Sequence, residues 1–546
     1  MFSTIFLWIS CEQPPTESSD RTVFRMNLPE GLTTLDPAYA RDQRSTWMCT
    51  QLFDGLVRLD SSLTPQPALA KKWEIAEDGL TYTFHLRTNA WFHKDPVFST
   101  KTRRLTAEDV VYSFSRILDP QTASTGAWVF DGRIEGAGEF RNGTANKVTG
   151  FQALDDSTFQ LTLAKPFPAI LGLLAMPYGF VVPKEAVDAY GKDFAKRPIG
   201  SGPFQLYRWD INRHLILHKN PTYYEMDEQG NPLPYLDAVS VSFIPSRLSA
   251  FVEFLQGKLD FINGLDPSYK DELLRPDGSI QPAYQGKFQI QRAPQLNTEY
   301  LGIMVDSENE QAKGNPFLDV RVRKALNYAI DRKKMVNYIL NGMGYPGEAG
   351  FVPYGMPGYD PEAVQGYTYR PELAQQLLKE AGFPNGKGLP EIALNSTPAY
   401  SAISEYLQKA WQQVGIQVNI QNQDGGSLRS AIYGGKVNFW RASWIADYPE
   451  GENYLGLFST ARHSPNGPNT THFTDPRVDS LLLLSQSLVS DSLRWQAYQQ
   501  IDNWVMEQAP VVVLFYDRSL RLLQNNIKGL EGNPMNHLHL RKVRKL

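Results

Sequence analysis

In residues 439–458, FWRASWIADYPEGENYLGLF, Asp447 stands among tryptophans and tyrosines, with Arg441 six residues before it. Such a set suits three chemistries: a catalytic carboxylate, an Arg–Asp pair closing a turn, or a seat for a charged ligand. Aromatic walls exclude water, and a charge-assisted hydrogen bond is stronger where water is excluded. Other reactive residue types are sparser. Ser201 in IGSGPF lacks the spacing of a nucleophile elbow and reads as a structural turn. His537 and His539 share one side of an extended stretch, but no Cys or further His lies near them to complete a metal site. Phosphate-binding, dinucleotide-binding and zinc-protease motifs are missing. No catalytic residue, metal or cofactor is therefore expected, and the chain does not read as an enzyme.

The elements that hold this segment belong to a chain of 546 residues, long enough for two to four domains. Its 54 basic and 58 acidic residues give a net charge of −4 without long runs, so nucleic acid has no electrostatic footprint here. Aromatic residues make up 12%, which suits either aromatic-lined contact surfaces or aromatic cores. Cys11 follows the apolar run MFSTIFLWIS and precedes the polar, proline-rich EQPPTESSD. That arrangement, with small Ser10 before the cysteine, looks like a bacterial lipoprotein signal; Trp8 and the lack of a preceding Lys or Arg depart from the usual pattern. About ten apolar residues are too few to span a bilayer. Residues 1–20 are thus expected to be signal, lipid anchor and linker, with Cys11 lipidated. Cys49, in an apolar-periodic stretch, is expected to be a buried small hydrophobe.

Helices and strands alternate along the body. TVFRMNL reads as a strand, and STWMCTQLFDGLVRLD has helical spacing. LTYTFHLRTNAWFH alternates with period two, placing Tyr82, Phe84 and Leu86 on one face. TAEDVVYSFSRILD is an amphipathic helix opened by Thr106 with Asp109 three residues on, a variant capping box. Residues 319–342 read as a long helix pair with Gly342 as C-cap, 475–509 as two helices, and PVVVLFYDRSLRLLQ as a buried strand. The mixture argues for α/β lobes.

Seven segments, in order, resemble the family 5 extracellular solute-binding proteins, the peptide-binding components of ATP-driven importers. They are LDPAYARDQRSTWMCTQLFDGLVRLD, PALAKKWEIAEDGLTYTFHLR, LTAEDVVYSFSRILDP, RPIGSGPFQLYRW, VRVRKALNYAIDRKKMV, WIADYPEGENYLGLF and QAPVVVLFYDRSLRL, spread over about residues 22–540. The resemblance implies an α/β, two-lobed periplasmic-binding-protein fold, type II-like, with an inserted domain and a hinge between lobes. Lobe I would be discontinuous, at 21–64, 190–264 and 485–546. The inserted domain would occupy 65–189 and the other lobe 265–484.

The same resemblance implies that an extended peptide pairs with the protein backbone as a strand would, giving affinity indifferent to sequence. Asp447 matches the aspartate of the family's W-x-x-D-Y pattern and would hold the peptide ammonium. Arg441 matches a basic position that can receive the peptide carboxylate, for which its planar fork is suited. Backbone groups of Ser443 and Ile445, and of the loop Arg41, Asp42 and Gln43, would be the strand-pairing partners. Trp444, Tyr448, Tyr516 and Trp128 would be pocket walls or core. Gly425 and Gly426 replace an aromatic found in relatives, so one pocket wall is absent or rebuilt. The implied partners are short peptides, inner-membrane permease subunits of an ABC transporter, and a lipid bilayer through the N-terminal anchor. The chain would act as a monomer in the periplasm or cell envelope of a bacterium. Relatives with this fold also bind nickel complexes, haem or sugars, so a non-peptide solute is the alternative.

Overall fold

The computed structural model describes residues 21–265 and 269–546; Cys11 lies outside them. The alternating apolar residues of TVFRMNL form β1 (Val23–Asn27), with Phe24 and Met26 fully buried. Asp42 caps α1 (Gln43–Leu52) by accepting from the Ser45 amide at 3.0 Å. The helix ends at Phe53, short of the helical spacing that runs on to Asp60. Gly55 lies so close to the Leu174 carbonyl that a Cβ there would be 3.0 Å from its oxygen, and Val57–Leu59 form a short strand instead. Cys49 is a buried free thiol.

A separate sheet follows, made of β2 (Ala70–Ile75), β3 (Thr81–Leu86), β4 (Phe151–Asp155) and β5 (Thr158–Thr162) in the order β2-β3-β5-β4. Tyr82, Phe84 and Leu86 point inward, as their period-two spacing requires. α2 (Ala107–Leu118) covers this sheet. Its capping box forms between Thr106 and Asp109, and Phe114 meets Phe151 and Phe159 at 5.5 and 5.6 Å between ring centroids.

Ten further strands join β1 in one large sheet. They are β6 (Phe204–Asp210), β7 (His214–Lys219), β8 (Ala238–Ser242), β9 (Phe261–Asn263), β10 (Gln289–Ile303), β11 (Gly344–Pro346), β12 (Ile392–Ser396), β13 (Val418–Asn422), β14 (Phe439–Ile445) and β15 (Val511–Leu523). The order is β13-β12-β14-β10-β15-β9-β1-β8-β7-β6, with β11 on the edge of β15. The long strands β10 and β15 pair along most of their length, and the end of β15 also pairs with β9. A single hydrogen-bonded ladder therefore connects the half built on β1 and β6–β9 to the half built on β12–β14.

The helix pair expected over 319–342 is α3 (Val320–Tyr328) and α4 (Arg332–Leu340). The left-handed turn that ends α4 begins one residue early, at Asn341 (φ 49°), with Gly342 continuing it. Further on, α5 (Ser401–Gln412) buries Leu407 and Trp411, and α6 (Asp491–Gln508) buries Ile501 and Val505. Apolar packing is divided between the halves. Phe24, Phe53, Phe84 and Phe114 share a first core, whereas Tyr300, Tyr454, Tyr498 and Tyr516 share a second. Residues 485–546 contribute to both cores. Much of α6 and part of the first half of β15 pack in the second core, and Leu523, Ile527 and Leu538 in the first.

Candidate functional site

β14 owes its place to its sequence: Phe439 and Trp440 are fully buried, and the strand becomes more exposed toward Ile445. Its partner β10 runs antiparallel, with Thr298 opposite Trp444 and Leu301 opposite Arg441. The Ala446 amide donates to Leu296 O at 2.9 Å, and Met304 donates to Asn438 O at 2.9 Å. Even-numbered residues of β14 thus turn their N–H and C=O groups toward β10, and residues 441, 443 and 445 turn theirs away. On that other side β12 reaches β14 only at Trp440. Among the described residues no strand pairs with Ser443 or Ile445 there. Their backbone groups form an open strand edge, and the Ile445 side chain is 58% exposed.

Asp447 lies two residues beyond the strand. Its amide donates to Asn453 Oδ1 at 3.3 Å, and Asn453 Nδ2 donates back to its Oδ2 at 3.4 Å. Among the described residues no Lys, Arg or His forms an ion pair with it. The residue is solvent-accessible, yet its carboxyl is recessed among protein atoms, and this loss of hydration raises its pKa. The Asn453 Oδ1 also accepts from the Trp444 indole at 3.0 Å, which fixes that ring beside the edge. Tyr448 is buried, donates to Glu452 Oε2 at 2.5 Å, and meets Trp128 and Phe167 at 6.4 Å each. Trp128 therefore stands on the inserted sheet's side, against the residue next to Asp447. Glu450 fixes the same turn by pairing with Arg494 of α6 at 2.7 Å.

Arg441 does not pair with Asp447. Its Nη2 lies 2.5 Å from Glu299 Oε2, and its guanidinium lies 3.3 Å from the centroid of the Tyr400 ring. Asn297 bridges Glu299 at 3.1 Å and Asp517 at 2.5 Å. Burial raises the Glu299 pKa to about 7; Arg441 opposes that shift and Asp517 adds to it. Burial likewise raises Asp517. Arg441 is thus engaged by the buried Glu299 rather than by Asp447.

The other expected residues divide. Arg41 and Gln43 are exposed, but Asp42 is engaged as the α1 cap and also accepts from Thr33 at 2.7 Å. Burial raises the pKa of Tyr178, which lies within electrostatic reach of Asp447, Arg41 and Asp42. Tyr516 is corrected to core: it is fully buried and donates its hydroxyl to Gly350 O at 2.7 Å, so nothing of its side chain faces the cleft. His537 and His539 are half-buried, and loss of hydration lowers both pKa values. Among the described residues no group of three or more metal-ligating side chains gathers, and no helix is long and apolar enough to cross a membrane. Sequence reasoning missed Glu299, Asp517, Asn297, Tyr400 and Asn453. Only Asn453 carried a local signal, six residues after Asp447.

A sheet shared by two halves, flanked by an inserted sheet, is the mixed α/β build of the periplasmic binding proteins. The family model for bacterial extracellular solute-binding proteins, family 5, matches residues 64–466, and the chain belongs to that family. The periplasmic oligopeptide-binding protein OppA of Salmonella typhimurium is 28% identical over 96% of this chain and 92% of its own length. Heme-binding protein A of Haemophilus influenzae is also 28% identical, over 89% of this chain and 85% of its own length. The unliganded open form of the periplasmic murein tripeptide-binding protein MppA superposes with a TM-score of 0.80 at 26% identity, covering 96% of this chain and 98% of that one.

Proposed function

We propose that this protein captures short peptides in extended form between its two halves and delivers them to an ATP-driven importer. The observation that carries the reading is a cleft carboxylate without a cation, Asp447, at the end of an unpaired strand edge, Ser443 to Ile445. The carboxylate holds the peptide ammonium, and the edge pairs with the peptide backbone. Trp444 and Trp128 wall the site, and the Arg41–Gln43 loop approaches from the opposite half. Likeness to an unliganded open form accords with a cleft in which Asp447 is still accessible. The protein performs no chemistry on its ligand. Cys11 anchors it by a lipid in the cell envelope, a reading supported by its sequence surroundings alone; Cys11→Ser releases the protein from membranes if it holds.

Calorimetric titration with short peptides and their N-acetylated twins tests the ligand reading. Tight binding of the free peptide, lost on acetylation and in Asp447→Asn, is the expected result. Equal binding of both twins, or no binding of any peptide, refutes it. A second reading, a non-peptide solute such as haem in the same cleft, is favoured by the relative named for heme binding. Native mass spectrometry of the purified protein would reveal such a ligand.

A further inference from the structure

Arg441 is engaged by Glu299, and the fold supplies a further cation with no ion-pair partner among the described residues. Arg518 sits on β15 opposite Pro294, where the register of β10 is interrupted up to Thr298. Among the described residues it has no ion-pair partner. Its Nε is buried without a hydrogen-bond partner, and its guanidinium lies 5.2 Å from the Tyr345 ring centroid. Arg292, diagonally across the ladder, is also without an ion pair among the described residues. It lies within electrostatic reach of Arg518, whose charge adds to burial in lowering its pKa.

Arg518 lines an open pocket of about 480 Å³ together with Lys270, Asn263, Gln295 and Ala399, and no Asp or Glu is among its lining residues. Lys270 contributes a second cation, steadied by the Ile339 carbonyl at 2.6 Å. The pocket adjoins the proposed site. Ala399 lines it, and the next residue, Tyr400, is the ring beneath the Arg441 guanidinium at the far end of the open edge from Asp447. From 441 to 447 is about 20 Å of extended chain. Arg292, held by the Gly278 carbonyl at 2.5 Å, adds positive potential behind Arg518, and an anion at Arg518 offsets the repulsion between the two. An arginine fork binds a carboxylate bidentately.

We propose that Arg518, supported by Arg292 and Lys270, is the anion site that takes a carboxylate of the bound ligand. This rests on the peptide reading above. The chemistry is shared by a peptide's C-terminal carboxylate and by an acidic side chain, and the two are separable by measurement.

The experiment is calorimetry on the purified protein with three probes. They are a peptide with free ends, its C-terminal amide, and an amide carrying Glu at its last position. The wild type is expected to bind the free acid at least tenfold more tightly than the plain amide, and Arg518→Gln to abolish that preference while leaving amide affinity unchanged. Arg518→Lys restores part of it, and Lys270→Gln weakens it, so the result does not hang on one variant. If the Glu-bearing amide matches the free acid and is equally sensitive to Arg518→Gln, the carboxylate source is a side chain; if only the free acid responds, it is the C-terminus. An unchanged acid-to-amide ratio in Arg518→Gln overturns the anion site and leaves the peptide reading standing. Absence of peptide binding in the wild type overturns both.

Discussion

Arg441 and Glu299 are diagonal neighbours on one face of the β10–β14 ladder, and their side chains meet at 2.5 Å. The pair fastens two strands under the open edge. Removing Arg441 leaves Glu299 buried beside Asp517 without its cation. Breaking a buried pair from one side costs about 3–5 kcal/mol; Arg441→Ala is expected near the low end because its side chain is 17% exposed. Arg441→Gln combined with Glu299→Gln should recover much of that loss. Chemical denaturation of the single and double variants measures it, and an additive double variant would deny the coupling.

The titration of Glu299 gives a pH signature. Its pKa is about 7 in the folded protein against the ordinary 4.5, because burial and Asp517 outweigh Arg441. Between those values the folded state holds a proton that the unfolded state has released. The contribution to stability is therefore complete below about pH 4.5 and lost as pH rises through 7. A shift of this size corresponds to about 3 kcal/mol. Denaturation at pH 5 and pH 8 should show a fall in the wild type that is smaller in Glu299→Gln by about that amount. Asp54 and Asp502, each raised to about 6 by burial, add a fall common to both proteins.

Tyr516 separates core from cleft. Tyr516→Phe leaves the Gly350 carbonyl without its donor and is expected to cost about 1 kcal/mol of stability. Ligand affinity should not change. A tenfold loss of affinity would return Tyr516 to the binding site.

Strand pairing at residues 443 and 445 has a period of two. N-methylation of successive peptide amides should weaken binding at alternate positions by about fivefold to tenfold, the worth of one hydrogen bond. Methylation at the positions between should be nearly silent. A uniform response along the peptide would exclude pairing with this edge.

Gly350 marks a close approach in the second core. A Cβ there would fall 2.0 Å from Asp502 Oδ2, and that carboxylate accepts from the Phe351 and Val352 amides at 2.7 and 3.1 Å. Gly350→Ala should destabilise the protein by about 2–4 kcal/mol through displacement of Asp502. The midpoint of chemical denaturation reports this.

Local signals made part of this molecule legible. The capping box at Thr106, the alternation of residues 81–86 and the helix pair over 319–342 all depend on neighbours in sequence, and all appear in the fold. The environment of Arg441 depends instead on Glu299, 142 residues away, and on Asp517. Which face of a distant strand arrives opposite an arginine follows from register, and β10 and β15 carry irregularities that no periodicity announces. Tyr516 shows the same limit: an aromatic in a buried strand points to core or cleft according to a one-residue shift.

The three residues Ala446, Asp447 and Tyr448 end on different cores: Ala446 packs in the second and Tyr448 in the first. Asp447 therefore sits between two neighbours anchored in different cores. A cation held by its carboxylate would bear on both halves at once, and its departure would be felt by both.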